Sequence, residues 1–435
     1  MPKLRVGTAV ADITPRIGVS MPGYFTDRKA SDILDPIKAK ALVFEADGQS
    51  LALVVCDVIA LVKEDTERAK QMAAELTGIP SENMMIAATH THYGPATITV
   101  FNTPKDEQYC DFMCRRIADA IRLAQLRLEP VVFAHASGEV VGESFNRRWL
   151  MKDGRVVMNP GYLNPDRVKP MGPVDRELVL LAAMTPEGEP HAAVMNFALH
   201  YVGGPYDEKI SADYFGAATR ALARMWGRDF LALLANGCCG DINNCDFDRR
   251  PPDYPHPFYQ AQRVGDVVAA EAFKTWRRIW DWTDEATLGT ANAYPVFQRR
   301  HPTEEQQKLM HELLAGPPQP ANPQWMYANE WKRVMALPPE WPVQIQAMRI
   351  GDLGIVGLPG EVFTEIGMAI KARSPFPRTM VVELANDWVG YIPTDKALEE
   401  GSYETELGTN SMAAPGTADT WTETAVALLN QLAQS

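Results

Sequence analysis

Leu51-Ala52-Leu53-Val54-Val55-Cys56, the amphipathic stretch Thr66 to Leu76, and Met84-Met85-Ile86-Ala87-Ala88 form the run from which the fold is read. The first and last pieces are short and continuously apolar, as strands covered on both faces are. The middle piece is long enough to cross from one to the other as a helix. The run therefore predicts a strand-helix-strand unit. Outward from it, Glu107 to Leu126 spaces Tyr109, Met113, Ile117, Ile121 and Ala124 as a buried helix face, and Pro130 opens the next extended segment. Further strands are expected at Leu178 to Ala183, Ala193 to Ala198 and Phe230 to Leu234, then at Val343 to Ile350, Gly354 to Val356 and Thr379 to Leu384. Helices are expected after Glu361 and from Thr422 to Leu432. This pattern predicts an α/β fold of mixed sheet layers with flanking helices.

Between Pro251 and Pro342 prolines crowd around helix-like pieces at Tyr259 to Trp276 and Thr303 to Leu314. That region reads as an insertion, an excursion from the sheets that shapes the pocket, within one catalytic domain spanning residues 1–435. No internal repeat or low-complexity linker is evident. The chain has 435 residues, 46% of them hydrophobic, enough for a large core. A formal charge of -13 and the lack of a basic block argue against nucleic-acid binding. No apolar run approaches the roughly 18 residues of a membrane span. The start Met1-Pro2-Lys3-Leu4-Arg5-Val6 lacks an apolar signal core, so the chain as given reads as cytoplasmic, which is compatible with prior removal of a signal peptide. Six cysteines are too few for a disulfide scaffold and read as mostly buried thiols. A homo-oligomer is compatible with all of this.

Candidate chemistry starts at Thr89-His90-Thr91-His92-Tyr93-Gly94-Pro95, where a strand gives way to a loop, the place where open α/β sheets bind ligands. On a strand, His90 and His92 would project to one face, close enough to share a metal. Two histidines at a strand end can equally do no more than satisfy local hydrogen bonds. His200 ends a second apolar run, Val194 to Leu199, and that parallel raises its weight. His135, His191, His256, His301 and His311 read as surface residues. Glu361, in Leu358-Pro359-Gly360-Glu361, offers an oxygen ligand, or else a helix N-terminal carboxylate favoured by the dipole. Tyr391 adds a phenol in another turn, or a packed aromatic. Asn236 to Asn244 is a glycine-containing loop whose N–H groups could form an oxyanion pocket, while Cys238, Cys239 and Cys245 make a weaker rival metal site. Several of the ten tryptophans, between Trp276 and Trp341, suggest an aromatic pocket wall or ordinary core.

Taken in order, Gly7 to Pro15, Met21-Pro22-Gly23-Tyr24, Thr89 to Pro95, Asn146-Arg147-Arg148, Gly172 to Asp175, Asn196 to His200, Gly240-Asp241, Pro359-Gly360-Glu361 and Tyr391-Ile392 resemble the neutral, non-lysosomal ceramidase family of zinc amidases. The resemblance implies a zinc ion (Zn2+) held by His90, His200, Glu361 and Tyr391. It implies His92 beside the reacting carbonyl, acting on a proton, and Arg147 lining the site. Tyr391 and His92 would stabilise the oxyanion. Where the family carries an active-site serine, Asn243 stands, which implies no hydroxyl assistance, a hydrogen bond from the amide to substrate, and a substrate other than ceramide. After Tyr391 about 45 residues remain, too few for the family's C-terminal immunoglobulin-like module of about 100 residues.

These readings converge on a zinc-dependent hydrolase of a small-molecule amide. Ester or lactone hydrolysis by the same site, a metal-containing binding protein without catalysis, and a structural protein whose histidines never meet are the competing expectations.

Overall fold

Strands alternate their side chains between faces, and the Gln49–Cys56 strand, apolar throughout its second half, uses both. Leu51, Leu53 and Val55 join a central core, whereas Ala52, Val54 and Cys56 join the cluster under the Lys63–Thr77 and Glu107–Leu126 helices. The computed structural model describes residues 3–203, 208–227 and 230–434. Its three large sheets share one topology.

In the first sheet the Arg5–Asp12 strand pairs antiparallel with Lys38–Ala46, which pairs antiparallel with Gln49–Cys56. The Lys63–Thr77 helix then crosses to Met84–Ala88, parallel to Gln49–Cys56. Val132–Glu139, Glu177–Met184, Pro190–Phe197, the Asp213–Trp226 helix and Leu231–Asn236 repeat this order in the second sheet. Leu288–Ala293, Ile345–Ile350, Leu353–Gly357, the Thr364–Arg373 helix and Arg378–Val382 repeat it in the third. A further helix succeeds each unit: Glu107–Leu126, Tyr259–Arg277 and Thr417–Gln434. The parallel pair in every unit is the one joined by a helix, as two parallel strands need a crossover connection. The fold is α/β with mixed sheets, and the repetition that no residue pattern disclosed is one of topology.

The inner faces of the three sheets meet in a single cluster containing Phe44, Leu53, Met85, Leu181, Val194, Leu233, Met348, Ile355 and Met380. The carboxyl ends of the parallel strands are tied together beyond it. Asn236 Nδ2 donates to Thr89 O at 3.2 Å, Glu383 N to Asn236 O at 3.1 Å, and Asn386 N to Ile86 O at 2.8 Å. Each of these loops comes from a different unit, so all three units contribute to the region where the candidate histidines sit.

The proline-rich stretch divides more finely than an insertion over 251–342. The Tyr259–Arg277 helix packs on the Asp213–Trp226 helix, and Leu288–Ala293 is a strand of the third sheet. Only the segment beyond Ala293, with the Glu304–Leu314 and Pro323–Ala336 helices, stands between two sheet strands. Prolines mark the connections here, not a module, because each removes an N–H that a ladder would use. No helix of the described residues is long and apolar enough to cross a membrane. The six cysteines are unpaired, and all but Cys245 are buried.

Candidate metal centre

The Met84–Ala88 strand stops two residues before His90, whose φ of 79° turns the chain left-handed. His90 and His92 therefore do not share a strand face as expected. The turn itself brings them together, held by His90 N to Val58 O at 3.0 Å. His90 Nδ1 lies 2.7 Å from Ile59 O, which can only accept, so Nδ1 carries the proton and Nε2 faces inward. His92 Nε2 is 3.3 Å from His90 Nε2 and 3.1 Å from His200 Nε2. His90, His92 and His200 are buried and form the one three-residue group among the described residues able to hold a metal ion.

Glu361 and Tyr391 are partners in a two-residue parallel ladder, which puts the carboxylate beside the phenol. Glu361 Oε1 accepts from Trp388 Nε1 at 3.0 Å. Its Oε2 lies 3.4 Å from His90 Nε2 and 4.0 Å from His200 Nδ1, buried and without a hydrogen-bond partner. Arg147, also buried, spans the cluster. Its Nε donates to Glu404 at 2.7 Å, Nη1 approaches His200 Nδ1 at 3.1 Å, and Nη2 reaches Gly240 O and Tyr391 Oη, both at 3.0 Å.

Burial disfavours the charged form of His90, but the Glu361 carboxylate outweighs it and holds the imidazole above its ordinary pKa. Burial likewise opposes the Glu361 carboxylate, and His90 overrides it, keeping the carboxyl below its usual range. Burial, then the neighbouring His90, pushes His92 well below its ordinary value. Burial, then Arg147, does the same to His200. The site thus holds one pair that prefers charge and two imidazoles that prefer neutrality, the form in which imidazole binds metal or accepts a proton. The inward Nε2, the buried Oε2 and a nitrogen and oxygen donor set suit a metal ion.

Asn243 is placed differently from expectation. Its Nδ2 donates to Asn159 at 2.8 Å and its Oδ1 accepts from Cys245 N at 2.9 Å, so its hydrogen bonds brace the loop and it does not line the cavity at the histidines. The expected oxyanion loop is likewise spent. Gly237, Cys239 and Gly240 donate to Phe197 O, Glu383 and Val362 O. Cys239 Sγ lies 2.7 Å from Glu383, and the cysteines form no metal group among the described residues. His135 and His191 are largely covered and paired with Asp352 and Glu129. The tryptophans between Trp276 and Trp341 do not line the site. Trp388 does, as do Tyr403 and Asn410.

Residues 4–244 match the family described as "Neutral/alkaline non-lysosomal ceramidase, N-terminal", more than half of the chain. The chain belongs to the neutral/alkaline non-lysosomal ceramidase family. The matched part of this ceramidase-family chain contains His90, His92, Arg147 and His200 and ends before Glu361 and Tyr391. Similar proteins include neutral ceramidase A of Dictyostelium discoideum, 26% identical over 45% of this chain and 28% of that protein. The neutral ceramidase of Pseudomonas aeruginosa is 29% identical over 62% and 41%. That of Mycobacterium tuberculosis is 23% identical over 92% and 73%. The chain thus spans less than half the length of the first two. In fold it is similar, along its whole length, to 75% of the crystallised P. aeruginosa neutral ceramidase, with a TM-score of 0.77 at 21% identity. A ceramidase complexed with C2 gives a TM-score of 0.79 at 21% identity.

Four contributors to the site of this ceramidase-family chain carry no signal of their role in the sequence. Glu404 lies in an acidic run that reads as surface, and Tyr403 precedes it. Gly23 and Tyr24 carried the resemblance without a role. A Cβ at Gly23 would stand 2.7 Å from His92 Nδ1, and the Tyr24 ring meets His92 edge-on at 5.9 Å.

Proposed function

We propose that this protein is a zinc-dependent hydrolase of amide bonds acting on a small molecule other than ceramide, with residues 1–435 forming one catalytic domain. One observation carries the reading: Glu361 Oε2 is buried without a hydrogen-bond partner, 3.4 Å from the inward-facing His90 Nε2. A buried carboxylate oxygen that draws a proton onto the neighbouring imidazole is a place for a cation, and a metal ion shared with the histidines would take the place of that proton.

His90, His200, Glu361 and Tyr391 would hold the ion. Bound zinc supplies Lewis acidity toward a carbonyl and toward a water molecule. His92 is neutral and touches both other imidazoles, so it can take a proton from the attacking water and return it to the leaving nitrogen. Arg147 holds Tyr391 and His200 in register through its fork of donors, and Tyr391 would stabilise developing oxyanion charge. The two loops of residues 21–27 and 98–103 both line the cavity, through Gly23 and through Ile98, Val100 and Phe101. Phe25 packs on Phe101 at 4.9 Å, and Tyr327 of the Pro323–Ala336 helix backs Phe101 at 5.9 Å. The proline-rich stretch thereby shapes the pocket.

The test is elemental analysis of the purified protein beside His200→Ala, then a panel of N-acyl compounds and matched esters. About one zinc per chain, lost in the variant, with amide turnover is the expected result. Ester-only turnover would move the assignment to an esterase. Metal retained without turnover on either class would leave a binding protein.

A further inference from the structure

Three of the residues proposed to hold the metal stand where the sheet ladders have run out. His90 lies two residues beyond the Met84–Ala88 strand, His200 three beyond Pro190–Phe197, and Glu361 four beyond Leu353–Gly357, in a ladder of only two residues. Ladder hydrogen bonds hold a strand in place only along its length, so past its end other bonds must set where a side chain points. Two buried side chains from neighbouring strand ends supply them. Asn236 closes the Leu231–Asn236 strand, Glu383 follows Arg378–Val382, and both are 0% exposed.

Asn236 Oδ1 accepts from Leu199 N at 3.2 Å, and its Nδ2 donates to Thr89 O at 3.2 Å. Leu199 N–H can only donate and Thr89 O can only accept, so the orientation of the amide is fixed. Glu383 Oε2 accepts from Val362 N at 3.0 Å and from Cys239 N at 3.1 Å. Its Oε1 accepts from Cys239 Sγ at 2.7 Å and from Asn236 Nδ2 at 3.4 Å. Thr89, Leu199 and Val362 are the chain neighbours of His90, His200 and Glu361. One amide and one carboxylate, joined to each other, thus hold the residue beside a metal-binding group in each of the three units. Every polar atom of the two side chains has a partner, and a buried network satisfied in this way is rigid and specifies one arrangement. Asn196 is the contrast. It is 1% exposed and bonds Ala235 O and Val381 O at 3.1 Å and Val381 N at 3.2 Å, all within strands and none beside a metal-binding group.

We propose that Asn236 and Glu383 are the positioning residues of the metal centre, a shared brace that sets the separations of His90, His200 and Glu361 before an ion arrives. This rests on the metal-centre reading, which it deepens by naming what preorganises the site. The brace acts through backbone atoms next to the metal-binding groups, so its loss should show in the affinity for the ion and in the geometry around it.

The experiment titrates the metal-free full chain competitively with zinc, and separately with cobalt(II), whose visible absorption reports coordination geometry. Both are repeated on Asn236→Leu, Asn196→Leu, Glu383→Leu and Glu383→Gln, with urea unfolding of each metal-free protein as the measure of stability. Asn236→Leu should bind zinc about tenfold or more weaker and change the cobalt spectrum. Asn196→Leu should lose stability yet keep the native affinity and spectrum. Glu383→Gln still offers one oxygen to the two backbone N–H groups and should restore the spectrum that Glu383→Leu loses. Native affinity and spectrum in Asn236→Leu, the same change in Asn196→Leu, or no restoration by glutamine would each overturn the proposal. Hydrogen exchange on the metal-free native protein needs no variant to fold: the Leu199 and Val362 amides should exchange as slowly as those of the adjoining strands, and fast exchange would overturn the proposal. A native chain that binds neither ion would refute the metal-centre reading and this inference with it, whereas native binding left intact in Asn236→Leu would refute this inference alone.

Discussion

Gly23 and His92 touch so closely that glycine is required: its φ is 103°, and a Cβ there would stand 2.7 Å from His92 Nδ1. Gly23→Ala should push the imidazole out of line and strain the loop. Misplacement by about an ångström costs on the order of 100-fold in rate. The expected outcome is a large fall in kcat with zinc content unchanged, read from steady-state kinetics beside elemental analysis. Unchanged kcat would mean that His92 is not the proton carrier.

The three histidines should separate by substitution. His90→Ala and His200→Ala remove groups facing the Glu361 carboxylate and should lose both metal and activity. His92→Ala should keep the metal and lose rate, about 100-fold or more for a general base. Zinc retained at full stoichiometry in His90→Ala would contradict the ligand assignment.

How much of this site is legible in the sequence depends on whether a residue closes an apolar run. His90, His200 and Glu361 come just after strands legible from composition alone, and the order of elements is legible for the same reason. The left-handed turn at His90 is not, since positive φ is uncommon even for histidine, one of the residue types enriched there. The threefold topology is hidden because its units share no residue pattern and their connections differ: Asp12 leads to Lys38 in the first, but Ala293 to Ile345 in the third. Asn243 misleads because adjacency to Gly240-Asp241 says nothing about where an amide points, and Asn159 claims it. Asn410 in Gly408-Thr409-Asn410 reads as a turn residue until its burial is known.

Arg147 and Glu404 form a buried ion pair at 2.7 Å that also anchors His200 and Tyr391. Arg147→Met takes the nearer of two guanidinium groups from the buried Glu404 carboxylate and leaves it Arg148 Nε at 3.7 Å, so the cost should fall below the roughly 3–5 kcal/mol of a fully broken buried pair. Loss of the support behind two ligands should also weaken metal binding roughly 10–100-fold. Denaturant unfolding and a competitive zinc titration measure the two effects. Full stability with full zinc affinity would show that the guanidinium bridge is dispensable.

Lys70 supplies a prediction away from the site. It is 3% exposed on the Lys63–Thr77 helix, and its only described contact is Gln344 Oε1 at 3.4 Å. Burial, weakly opposed by Glu67, pushes its ammonium down to about 7 from 10.5. The folded pKa lies below the unfolded one, so the unfolded chain binds the proton more tightly. The penalty is fully present below about pH 7, shrinks as pH rises from there, and vanishes above 10.5. Stability attributable to Lys70 therefore rises with pH across that window. Lys70→Met keeps the aliphatic stem and removes the charge, and should gain about 1–3 kcal/mol at pH 7. Urea unfolding of both proteins at pH 7 and pH 9.5 should show the variant's advantage narrowing at the higher pH. A variant less stable than the parent at pH 7, or an advantage independent of pH, would mean that the ammonium is solvated or paired where it lies.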